Sequence, residues 1–155
     1  MYKKILVAID QSEDSQRVIK QVIDIQKIFN SKVVVFHSID TKVSFPMNIP
    51  LVSTQTGHMS AVVTPRKLEI ERRRSAKKLL ENAKELFRKN FLSVETRLIE
   101  DFEPEDYITN AIEEENFDLI VVGCKGDHSK LRRVFMDTIP NKVLNQAAAD
   151  LLIVR

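Results

Sequence analysis

The chain has 155 residues, 43% of them apolar and 30% charged, which suits one globular domain that buries roughly 70% of its unfolded surface. A net charge of +2 is too small to argue for a nucleic-acid or membrane partner, and a lone cysteine excludes an internal disulfide and a Cys-x-x-Cys zinc or redox site. No apolar run approaches the ~20 residues of a membrane span, so the expectation is a soluble, cytoplasmic protein that enters its first strand directly.

In chain order, Lys3 to Asp10 reads as a buried strand closed by a carboxylate. Gln11-Ser12-Glu13 leads into a helix with Val18, Ile19, Val22, Ile23, Ile25 and Phe29 on one face. Asp10 and Glu13 are spaced for a capping-box pair, which competes with a ligand-binding role for Asp10. Ser31 to Ile39 is a second buried strand. Asp40 to Pro65 holds three prolines and no periodicity, the pattern of a lid, a partner-binding loop or a disordered segment. Lys67 to Asn90 is a long helix with Ala76, Leu79, Leu80, Ala83, Leu86 and Phe87 at 3–4 spacing. Leu92 to Ile99 alternates as a third strand with one face less buried. Pro104 opens a helix that turns Tyr107, Ile108, Ala111 and Ile112 inward, with Glu103, Glu105 and Asp106 where the macrodipole favours acids. Leu119 to Val122 is a fourth, doubly buried strand. A helix around Pro140 to Ala148 and a strand from Leu151 to Arg155 end the chain. Strands alternating with helices predict an α/β domain with a parallel sheet.

The stretch with most chemistry is Asp118 to Leu144. Two of the chain's three glycines, Gly123 and Gly126, follow the fourth strand at once. Glycine there is explained by φ > 0 or by close backbone approach. A basic segment, Lys130 to Arg133, comes next, then a helix start with Asp137 or Thr138 as N-cap and Pro140 in the first turn. Strand, glycine turn and helix N-terminus together are suited to hold an anion on backbone N–H groups.

Gly123-Cys124-Lys125-Gly126 and Leu131-Arg132-Arg133-Val134-Phe135-Met136 resemble the C-terminal signature of the universal stress protein family, Gly-x2-Gly-x9-Gly-Ser/Thr. Members of that family use it to bind the phosphates of ATP. The second half departs from the pattern: Asp137 stands where the family has glycine, Thr138 fills the Ser/Thr place, and one extra residue lies between the halves. The resemblance covers nearly the whole chain. It implies a single domain over 1–155, a Rossmann-like, doubly wound five-stranded parallel sheet of order 3-2-1-4-5, and an irregular loop at about 40–65.

In that order the chain reverses between the first and fourth strands, and ligands of open α/β sheets sit outside the carboxyl ends at such a point. Asp10 and Gly123 should therefore face one crevice. The resemblance places Ala8-Ile9-Asp10 and Ser38 beside the base and sugar, and Gly123, Lys125, Gly126, Asp137 and Thr138 along the phosphates, with ATP or AMP as nucleotide and Mg2+ as the ion that would accompany it. Ser38 falls where the family offers an apolar residue to adenine, and Phe102 where it often has glycine. The carboxylate of Asp137 would oppose phosphate, unless a divalent cation were shared with Asp10.

Other residues carry less. Cys124 beside Lys125 reads as a small buried residue rather than a reactive thiol. His37, His58 and His128 show no metal-ligand spacing. The basic residues between Arg66 and Lys89 have no interleaved aromatics, so they read as a solvated helix face. No Walker-type Gly-x4-Gly-Lys-Ser/Thr, no HExxH and no nucleophile elbow is present. The expectation is a non-enzymatic regulatory domain with an impaired nucleotide site, acting through protein partners; the alternative is an ATP- or AMP-binding sensor. The resemblance also implies a homodimer that pairs the last strand, Leu151, Leu152, Ile153 and Val154, with its copy.

Overall fold

The computed structural model describes residues 1–41, 65–123 and 149–154. The elements are β1 (Lys4–Ala8), α1 (Asp14–Phe29), β2 (Lys32–Ile39), α2 (Pro65–Lys89), β3 (Glu95–Glu100), α3 (Pro104–Glu115), β4 (Leu119–Gly123) and β5 (Asp150–Val154). All strand pairs are parallel, and the sheet order is β3-β2-β1-β4-β5, as expected. The 40–65 loop apart from its first two residues and its closing proline, the helix expected at 140–148, and Arg155 lie outside the described residues.

Continuous apolar runs in β1, β2 and β4 follow from burial on both faces. Ile5, Val7, Val33, Val35, Leu119 and Val121 pack with Val18, Val22, Leu80 and Phe87 of α1 and α2. Leu6, Ala8, Val34, Phe36, Ile120 and Val122 pack with Ile108, Ala111 and Ile112 of α3 on the other face. Alternation along each strand thus feeds two cores, and the one buried polar side chain in these strands is His37 of β2.

Three boundaries and one helix cap differ from expectation, each for a local reason. β1 ends at Ala8; Ile9 still donates its N–H to the Phe36 carbonyl (3.1 Å), but Asp10 has turned to serve the helix start. α2 begins at Pro65, whose missing N–H costs nothing in a first turn. β3 begins at Glu95 rather than Leu92, because α2 closes on a left-handed Phe91 (φ 59°) and Leu92 N–H bonds back to the Phe87 carbonyl at 3.1 Å. The capping-box pair does not form. Glu13 occupies the N-cap of α1 without a side-chain cap bond, and serines take Asp10 instead.

Candidate functional site

Ala8 pairs with Phe36 on one side and Val122 on the other, so the carboxyl ends of β1, β2 and β4 come together at the reversal of strand order. Ala8, Asp10, Ser38 and Gly123 all lie at this end, as the topology argument requires. Lys125, Gly126, Asp137 and Thr138 are outside the described residues, and so are Cys124, His58 and His128.

Asp10 is half-buried, and its Oδ1 accepts three hydrogen bonds: from Ser12 N–H (2.9 Å), from the Ser12 hydroxyl and from the Ser15 hydroxyl (3.1 Å). Ser15, itself buried, also donates to the Asp10 carbonyl (2.6 Å) and accepts from Asp10 N–H (2.9 Å). A short carboxylate bonding the N–H two residues on forms an Asx turn, which steers the chain from β1 into α1. One oxygen of Asp10 is therefore committed to the fold, and Oδ2 takes no part in these bonds.

Gly123 has no positive φ. A Cβ at this position would lie 3.3 Å from Asp14 Cβ and 3.3 Å from Val18 Cγ2. Close approach of α1 to the end of β4, not a left-handed turn, is what requires glycine here. Asp14 is buried beside it, bonded by Arg17 one turn along the helix, while its Oδ2 has no hydrogen-bond partner among the described residues.

On the β2 side of the crevice, backbone and side-chain bonds link the end of β2 to the segment after β3. The Ser38 hydroxyl donates to the Phe102 carbonyl. Thr41 donates from its N–H (2.8 Å) and hydroxyl (2.7 Å) to Asp101, a residue at φ 56° whose own N–H reaches the Ile39 carbonyl at 2.9 Å. Phe102 is 42% exposed and belongs to neither core. Ser38 thus presents an occupied hydroxyl rather than an apolar surface.

His37 shows no metal-ligand spacing in the sequence, yet it is a structural part of this end. Its ring is buried, and Nδ1 lies 2.8 Å from the Ile9 carbonyl, which assigns the proton to Nδ1. Burial pushes its pKa below the ordinary histidine value, partly offset by the Ile9 carbonyl and the charge of Asp10. It is a neutral strut near physiological pH. A histidine inside an otherwise apolar β2 run was the only signal available. Among the described residues no group of His, Cys, Asp and Glu is placed to hold a metal ion, and no helix is long and apolar enough to cross a membrane.

The universal stress protein family model matches residues 1–155. The universal stress protein YxiE of Bacillus subtilis is 29% identical over 159 residues, covering 100% of both chains. Among solved structures, universal stress protein UspA from Lactobacillus plantarum superposes with a TM-score of 0.69 at 18% identity, covering 99% of this chain and 98% of that one. A universal stress protein from Archaeoglobus fulgidus in complex with dAMP does so with a TM-score of 0.60 at 20% identity, covering 99% and 98%. A match along the entire length, over a sheet of this order, makes the chain a member of the universal stress protein family.

Proposed function

We propose that this domain is a non-enzymatic regulatory module of the cytoplasm that acts through protein partners and whose adenine-nucleotide site is impaired. The observation that carries the reading is Asp137 in the place of the second-half glycine of the phosphate motif. A carboxylate there would oppose phosphate, and at the expected start of the last helix it would answer the N–H groups a phosphate would use. The crevice supports the same reading: one Asp10 oxygen serves Ser12 and Ser15, and the Ser38 hydroxyl serves the Phe102 carbonyl. Purified protein should carry no adenine nucleotide, judged by mass spectrometry after denaturation. Stoichiometric ATP or AMP would overturn the proposal in favour of the sensor reading. That second reading draws on the dAMP complex of the Archaeoglobus fulgidus relative.

The same proposal includes a homodimer paired through β5. This strand is a sheet edge, apolar and free of proline, with Leu151 and Leu152 half-buried and Ile153 41% exposed. Val154 is buried in its own core, so it would contribute backbone rather than side chain to the contact. Ile153→Pro should convert a micromolar dimer to monomer in light scattering while the circular dichroism of the fold is kept, because proline interrupts an edge ladder. A wild type that is monomeric at the same concentration sinks the pairing.

A further inference from the structure

Helices α1 and α3 close on left-handed asparagines, Asn30 (φ 53°) and Asn116 (φ 55°), as the tolerance of that side chain for the conformation predicts. α2 closes instead through Phe91, at φ 59° and 99% exposed. A bulky residue there is strained and gains no burial, so folding does not account for it. Ile28 in the last turn of α1 (73%) and Met1 ahead of β1 (90%) are exposed at the same end of the sheet, opposite the crevice. Bonds between neighbouring turns hold this corner together. Lys27 Nζ donates to Asn90 Oδ1 (2.8 Å), Gln26 Nε2 to the Ser31 and Ser93 carbonyls (3.0 and 2.9 Å), and Lys32 N–H to the Lys3 carbonyl (2.8 Å).

Charge at this end divides by layer. On the α1 and α2 side, Lys3, Lys27, Lys32 and Lys89 are exposed, and none of them is ion-paired among the described residues. The carboxylates in the last two turns of α1 and α2 are Asp24 and Glu85, and Glu85 is bonded to Arg88. Glu95, at the start of β3, is bonded to Arg97. Asp118 accepts from the N–H groups of Lys3 (2.7 Å) and Lys4 (3.1 Å), and Asp150 from the Tyr2 hydroxyl (3.0 Å). Exposed Glu113 and Glu114 lie across the sheet, at the end of α3, where Glu115 joins Arg97 and Lys4. Around Phe91 the unanswered charge is therefore basic.

We propose, on the partner-mediated reading above, that this corner docks an acidic segment of a partner protein that carries an apolar residue for Phe91. Phe91 is the anchor, and the lysines around it supply complementary charge. A helical segment, about 10 Å across, can lie on the α1 and α2 layer alone. A planar anionic membrane would cover the whole end and press on Glu113, Glu114 and Asp150 as well, where like charge repels it. The contact is small and rimmed by lysine, so it is reversible and weakened by salt.

Fluorescence anisotropy with the full chain tests this, the probe a short labelled peptide of glutamates around one central leucine. It should bind saturably, and more weakly as salt rises. Phe91→Asn supplies the residue that the other two helix ends use. It should weaken binding about tenfold or more while the melting temperature holds or rises. Lys32→Glu with Lys89→Glu should also weaken binding, whereas Glu113→Lys with Glu114→Lys should leave it unchanged. Failure of the peptide to bind, indifference to Phe91→Asn, or equal binding of a peptide with serine for leucine overturns the proposal. Phosphatidylserine vesicles that bind through the same lysines also overturn it and assign the corner to a membrane. Sedimentation in which Phe91→Asn lowers the mass of the protein overturns it in favour of a second copy. Adenine nucleotide in the purified protein would overturn the impaired site and leave this surface standing, so the two readings fail separately.

Discussion

Glu115→Ala should lower the unfolding free energy by about 2–3 kcal/mol near neutral pH, the cost of stranding two partly buried cations. Glu115 closes α3 and holds together three elements distant in sequence. Its Oε2 lies 2.8 Å from Lys4 Nζ and 3.1 Å from Arg97 Nη2, its Oε1 is bonded by Arg97 Nη1, and its carbonyl accepts from Lys4 Nζ at 3.1 Å. Arg97 also reaches the Tyr107 hydroxyl (3.0 Å) and Glu95 (2.6 Å), and Lys4 Nζ sits 4.3 Å from the centroid of the Phe117 ring. The side chains of Lys4, Arg97 and Glu115 are 25–29% exposed, so water screens them only in part. The Arg97 guanidinium, and then Lys4, hold the Glu115 carboxyl down at about 2 against an opposing effect of burial. A folded-state pKa below the unfolded value means stability that is complete above the ordinary glutamate range and is lost as pH falls toward about 2. Urea midpoints of wild type and variant should therefore differ near neutrality and converge in acid. A gap that persists unchanged at low pH would mean that the carboxylate's charge is not what matters.

The strands buried on both faces were legible because such burial writes itself as an unbroken apolar run, as in Ile5 to Ile9 and Leu119 to Val122. The sheet order came from family likeness, and the crevice position from that order. Local capping was less legible: Glu13 has the right spacing from Asp10, but the nearer Ser12 and Ser15 win by shortness and position. The reason for Gly123 needed coordinates, since close approach and positive φ look alike in sequence.

The Asp137→Gly variant should bind ATP measurably where the wild type binds it very weakly. The expectation rests on two features of the rest of the crevice. Ala8, Asp10 and Gly123 stand at neighbouring strand ends, and one oxygen of Asp10 is left over after Ser12 and Ser15 are served. The family pattern at Gly123, Gly126 and Thr138 otherwise matches. A carboxylate at ~4 Å from a phosphate charge, at an effective dielectric near 20, costs about 4 kcal/mol, roughly a thousandfold in affinity. Glycine removes that charge and, at the helix start expected from the sequence, would leave the N–H groups to a phosphate. If Asp137 caps that helix, the variant should lose around 1 kcal/mol of stability. Isothermal titration of both proteins with and without magnesium separates the outcomes. Tight binding by the wild type only with magnesium would point to a cation shared by Asp137, Asp10 and the phosphates. If neither protein binds, the obstruction lies elsewhere, at Phe102 or at the extra residue of the glycine loop, and Asp137 does not have the role assigned to it.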